Sequence, residues 1–213
     1  MSLLATGLVA NAQSTEAMLN YASTTPSDGS PLYSSIFSNI NGPIGWTFQP
    51  TTDIDVTALG AFAYLIPKGG LEVGLWDASG EMLASETITT ADTEVDQSLY
   101  ESISPLLLQA DQTYYVAAYS PGGPVSAVVV TPGLEPNGYA TMAPEIQLGK
   151  VAYSEGSGFS FPSTTDGNPG FAIIAPNFEY QVVPEPSTYW LLGGGVAALL
   201  MGRRERSKSK YRN

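Results

Sequence analysis

The sequence predicts an all-β protein built on a single antiparallel β-sandwich, and three observations point that way. Apolar and polar residues alternate over short stretches, charged residues make up only 13% of 213 positions, and 22 Gly and 16 Pro interrupt the chain. Alternation puts one face of a strand on a core, and Gly and Pro punctuate with turns. Twelve Tyr add side chains that suit a pleated surface. No stretch of the body carries a convincing amphipathic helical stripe. A body of this length is one domain, large enough to bury a core.

Taken in order, Gly45–Gln49 and Ile54–Ile66 read as strands. Leu71–Trp76 and Met82–Thr89 follow, joined by Asp77-Ala78-Ser79-Gly80. That tetrapeptide has hairpin chemistry: an Asp can cap the turn, and a Gly accepts the positive φ that closes it. Further strands are expected at Leu99–Leu108, Thr113–Ser120, Val125–Thr131, Ile146–Ser154, Gly158–Phe161 and Phe171–Val182. Pro132–Pro144 and Pro162–Pro169 read as longer loops. Some ten short strands with turn signals between them suit a sandwich.

Both ends carry processing features. Leu3–Val9 is apolar and Ala10-Asn11-Ala12 precedes Gln13. This is an A-x-A cleavage signature, so residues 1–12 read as a signal peptide, truncated because the apolar run is short and no basic residue precedes it; an ordinary disordered terminus is the alternative. The sandwich then occupies residues 13–183. At the other end, Thr188–Gly202 holds no charged residue and is followed by a basic end over residues 203–213. As a short C-terminal transmembrane helix it would reach about 22 Å, less than a hydrocarbon core of about 30 Å. Gly193, Gly194 and Gly195 weaken it further, whereas Tyr189 and Trp190 sit where interfacial aromatics belong.

Pro184-Glu185-Pro186, the apolar span 188–202 and the terminal Arg203, Arg204 and Arg206 together resemble the PEP-CTERM sorting signal of Gram-negative bacteria. The resemblance implies export, transient anchoring in the inner membrane, and cleavage near Pro-Glu-Pro by an exosortase-type transpeptidase. A tail over residues 184–213 would then be lost, as other sorting tails are. The same segment also goes under an ice-binding-protein name, which describes the tail and is no argument for ice binding. In the body, Gly45-Trp46-Thr47-Phe48, Asp55–Gly60, Glu72–Gly80, Leu83-Ala84-Ser85 and Ala110–Val116 follow an order similar to a jelly-roll-like domain without assigned activity. That domain recurs in bacterial exported and surface proteins; the resemblance covers Ile44–Tyr119 and implies fold, not chemistry.

Charge narrows the function. The net charge is −12, but residues 13–183 hold 18 acids against Lys68 and Lys150, hence −16. The last thirty residues hold six bases against Glu185 and Glu205, hence +4. An acidic body repels phosphate backbones, so nucleic acid is excluded as a partner. The chain has no Cys and no His, which removes disulfides, thiolate nucleophiles and the familiar triads. A Ser-Lys pair using Lys68 or Lys150 and a pair of acids as in glycoside hydrolysis remain formal options. Asp92, Glu94 and Asp96 alternate in sequence, as do Asp53 and Asp55, and such oxygen clusters suit calcium, although a solvated acidic loop or strand face is the default reading. Trp46, Trp76, Tyr114, Tyr115 and Tyr119 could stack on sugars, although core packing is the default, with Phe48 on the face of Trp46. Thr87-Ile88-Thr89 is ordinary strand sequence.

The expectation is therefore an exported, exosortase-sorted surface or extracellular-matrix protein, associated with exopolysaccharide in a biofilm, without catalysis or a required cofactor. The alternative is a calcium- or carbohydrate-binding β-sandwich module.

Overall fold

A computed structural model describes residues 14–19, 36–63, 66–121, 125–130, 141–156, 158–167, 172–174 and 176–184. The chain divides into two units, Met1–Val182 and Val183–Asn213. The expected signal peptide (1–12) and transmembrane span (188–202) lie outside the described residues, and among those that are described no helix is long and apolar enough to cross a membrane.

The described residues of the first unit are all β. In chain order its strands are β1 (Thr15–Glu16), β2 (Met18–Leu19), β3 (Ile36–Ile40), β4 (Ile44–Pro50), β5 (Ile54–Phe62) and β6 (Leu71–Asp77). Then come β7 (Met82–Ile88), β8 (Thr93–Val95), β9 (Ser98–Leu108), β10 (Tyr114–Tyr119) and β11 (Val125–Val130). β12 (Thr141–Met142), β13 (Ile146–Tyr153), β14 (Thr164–Asp166), β15 (Ala172–Ile174) and β16 (Pro176–Val182) complete the set. Two antiparallel sheets dominate, ordered β1-β16-β5-β9-β8 and β14-β13-β4-β10-β6-β7. Smaller sheets, β15-β11-β3 and β12-β2, accompany them. This arrangement fits the jelly-roll-like body that the resemblance implied.

Alternation builds the core between the two large sheets. Ile44, Trp46 and Phe48 of β4 are buried beside Val116 and Ala118 of β10 and Val73 and Leu75 of β6. Facing them are Ile54, Val56, Leu59 and Ala61 of β5 and Phe178 and Tyr180 of β16. The change of parity from Val56 to Leu59 marks a β-bulge in β5: Val56 and Ala58 pair with the adjacent Tyr180 and Glu179 of β16, and the β5–β9 register shifts at the same place. One extra residue moves the inward set by one position. Pro105 of β9 falls in the shifted stretch, where its missing N–H breaks no regular ladder.

The aromatic contacts join the sheets. The Phe178 ring centroid is 4.8 Å from that of Phe48 and 5.9 Å from that of Trp46, the latter pair stacked. The buried Trp46 Nε1–H donates to the Pro176 carbonyl at 3.1 Å, so the indole's polar atom is satisfied across the same gap.

The turn Asp77-Ala78-Ser79-Gly80 forms as its chemistry predicts. Asp77 Oδ1 accepts from the Ser79 and Glu81 backbone N–H groups at 2.9 Å and from the Ser79 hydroxyl at 2.8 Å, and Gly80 has φ of 87°. These bonds, the Ser79 hydroxyl first, hold the Asp77 carboxyl below the usual carboxylate range.

Five expectations need correction. The strand placed at Ile54–Ile66 ends at Phe62: the Ala63 N–H donates to the Gln97 carbonyl, and the Ile66 N–H turns back to the Ala63 carbonyl. Gly158–Phe161 is not a strand. It crosses the outer face of the six-stranded sheet with Phe159 on Trp76 and Tyr119 and Phe161 on Tyr115, so no neighbouring strand runs beside it. Phe171–Val182 is two strands in different sheets, β15 and β16, and β12 and β14 occupy parts of the two expected loops.

Truncating Phe178 to Ala should cost about 3–5 kcal/mol, because it empties the space between Trp46 and Phe48. Urea unfolding of the two chains checks this; a cost under about 1 kcal/mol would show that the sheets close without that ring.

Candidate functional site

β16 ends at Val182, and the exposed Pro184 follows two residues later. Of the sorting residues, Pro184 is described; Glu185, Pro186, Arg203, Arg204 and Arg206 lie outside the described residues.

The body gathers its most unusual chemistry on the outer face of the five-stranded sheet. Asn177, Gly60 and Tyr100 stand side by side on β16, β5 and β9. A Cβ on Gly60 would lie 2.2 Å from the Tyr100 ring, so only glycine lets that ring lie across β5 toward β16. Asn177 Nδ2 donates to the Tyr100 hydroxyl at 2.6 Å, and that hydroxyl donates to Glu16 Oε1 at 2.5 Å. The other side of the Asn177 amide grips the N-terminal segment. Its Nδ2 donates to the Met18 carbonyl and its Oδ1 accepts the Met18 N–H, both at 3.1 Å, while Oδ1 also accepts the Phe178 N–H at 2.9 Å. Both donors and both acceptor positions of this buried amide are used.

Glu16 is 4% exposed. Burial pushes its carboxyl up from 4.5 to about 7, against the pull of the Tyr100 hydrogen bond, and the negative charges of Asp96 and Glu179 push the same way. Burial also raises the Glu179 carboxyl, partly opposed by a hydrogen bond from Ser14. A further, part-buried contact ties β16 to the turn before β13: the Tyr180 hydroxyl donates to Glu145 Oε2 at 2.7 Å, and burial with that carboxylate holds the phenol well above its ordinary value.

The residues singled out from sequence are distributed differently. Asp92 caps its own turn, accepting from the Thr89 N–H at 2.7 Å and the Thr89 hydroxyl at 3.2 Å. Glu94 is exposed on β8. Asp96 and Gln97 form the two-residue turn between β8 and β9, with φ of 41° and 75°, as a type I′ hairpin requires. Asp53 Oδ1 accepts the Ala110 N–H at 2.9 Å and so fixes the β9–β10 connection. Among the described residues no group of three or more Asp or Glu side chains is placed to hold a metal ion. Lys68 and Lys150 are exposed. The aromatics divide: Trp46 and Tyr114 belong to the core, whereas Trp76, Tyr115 and Tyr119 face outward beneath Phe159 and Phe161. Sequence reasoning missed Glu16, Tyr100 and Asn177; the one visible signal was a single acid followed at once by Ala17-Met18-Leu19 in a chain sparing with charge.

An acidic antiparallel sandwich runs directly into a Pro-Glu-Pro tail, and comparison with known proteins identifies both parts. The PEP-CTERM protein-sorting motif matches residues 182–206, which implies export and processing by an exosortase. The chain belongs to the family of the domain of unknown function DUF4082, whose profile matches residues 35–173. The match extends well beyond the Ile44–Tyr119 stretch legible by eye. No curated protein matches the chain. Among solved structures, the VP2 subviral particle of infectious bursal disease virus is similar at 14% identity, with a TM-score of 0.24. The alignment covers 96% of this chain and 54% of the viral one, so the chain spans about half the length of that protein.

Because the folded carboxyl of Glu16 binds its proton more tightly than the unfolded one, its contribution to stability is complete below pH 4.5 and is lost as pH rises to about 7. The loss is on the order of 3 kcal/mol for a shift of this size. Denaturant titrations from pH 4 to 8 should show that fall in the wild type and a much flatter profile in Glu16→Gln; parallel profiles would mean Glu16 does not titrate in this window.

Proposed function

We propose that the body serves as a non-catalytic component of the cell surface or extracellular matrix, in contact with biofilm exopolysaccharide. The observation that carries the reading is the sorting motif over residues 182–206, joined directly to an acidic sandwich. Its route is transient residence in the inner membrane through residues 188–202, cleavage near Pro184-Glu185-Pro186, and delivery to the surface. A chain with no His and no Cys, whose two body lysines are exposed, has none of the usual activated nucleophiles, which favours a structural role over catalysis.

The alternative, a calcium- or carbohydrate-binding module, is favoured by one observation. Tyr115, Tyr119, Phe159 and Phe161 all retain partial exposure on one outer face, where rings could stack on a sugar.

Deleting Pro184–Asn213 should leave the body off the cell surface and out of the matrix fraction. Unchanged processing and display after that deletion would remove the sorting reading. Calorimetry on the purified full chain with Ca²⁺ and a glycan panel separates the two roles: the matrix reading expects no saturable heat from Ca²⁺ and none from small sugars, and a saturable isotherm with either would favour the binding module.

A further inference from the structure

The segment Ser14–Leu19 is bound to the body much as a peptide ligand would be. The Ala17 N–H donates to the Phe178 carbonyl at 2.8 Å, and the Ala17 carbonyl accepts the Ala143 N–H at 2.9 Å. One residue thus bridges the five-stranded sheet and the β12-β2 pair. Both backbone groups of Met18 go to the Asn177 amide, and Glu16 reaches the Tyr100 hydroxyl. Ala17 and Met18 are 0% exposed, so the segment also anchors apolar side chains in the core. Main-chain bonds along an edge strand combined with buried alternate side chains are the mode by which sheets accept an added strand.

Every partner named here lies far along the chain, between Tyr100 and Asn177 and Phe178, and a second copy offers the same partners. Sixteen residues separate Leu19 from Ile36. Fully extended, such a stretch reaches about 50 Å, enough to seat the segment on a neighbour. Exchange keeps every bond and costs no interface, which is why swapping an identical element is an inexpensive route to association. The hold is also loaded electrostatically, since Glu16 faces Glu179 and Asp96.

We propose that Ser14–Leu19 exchanges between copies of this chain, the segment of one molecule seating on β16 and β12 of another, so that the protein self-associates. The inference goes beyond the sorting reading, and the two fail separately: a body that does not exchange leaves tail processing untouched, and an unprocessed tail leaves the exchange intact.

The chain has no cysteine, so engineered thiols report without background. Full chains carrying Ala17→Cys or Ala143→Cys, tagged to differ in mass, are mixed in mild detergent and oxidised with dipyridyl disulfide. The expected result is a mixed cross-linked dimer whose yield grows with protein concentration and exceeds that of an Ala17→Cys with Lys68→Cys mixture about tenfold, as local seating rather than collision requires. The chain carrying both Ala17→Cys and Ala143→Cys shows by its internal disulfide that the seat accepts the bond. Light scattering of the unmodified chain, after subtraction of detergent, supplies a readout independent of thiols, with dimers or larger species expected at high concentration. A monomer throughout the concentration range, or mixed dimers no more abundant than in the Lys68 control, overturns the proposal.

Discussion

Phe178 lies against Trp46 and Phe48, and the rest of the body is organised around that contact between its two sheets. β16 carries Phe178 inward, while alternation turns its neighbour Asn177 to the opposite face. The residue that closes the sandwich and the residue that secures the N-terminal segment are therefore adjacent in sequence. A slip of one position in β16 would bury an amide among aromatic rings and turn Phe178 to the outer face. The indole of Trp46, donating to the Pro176 carbonyl, fixes the same register from the facing sheet.

Charge is spent sparingly in this chain, and the one deeply buried acid among the described residues is kept where like charges surround it. Glu16 has the Tyr100 hydroxyl as a donor, and Glu179 and Asp96 as neighbours. Neutral Glu16 fits this site better than the anion does. The excess of acids over bases across the body works in the same direction at longer range, although solvent and salt weaken it with distance. The arrangement ties the attachment of the N-terminal segment to a group whose proton is lost near neutrality.

The strands around the core were legible because their alternation is regular: Ile44, Trp46 and Phe48 are buried, as are Leu71, Val73 and Leu75. So was the hairpin at Asp77–Gly80, where local side-chain chemistry decides the turn. The bulge in β5 opposite β16 was not legible, because simple alternation continues Ile54 and Val56 into Ala58, whereas the observed inward set resumes at Leu59. β1, β2 and β8 are two or three residues long, too short for any period to show. The Glu16, Tyr100 and Asn177 cluster joins three segments separated by as much as 161 positions along the 213-residue chain and was beyond pattern reading. The aromatic list mixed two populations, since Trp46 and Trp76 differ in which face of the same sheet they occupy, and composition does not report that.

β16 is flanked on both sides, by β1 and by β5, and leads within two residues to Pro184. A body tethered through that end would feel any outside pull along the axis of β16. Its ladder bonds run across that axis, so they would bear the load together in shear instead of parting one at a time. The strand that closes the sandwich is thus also the one best placed to resist mechanical extraction.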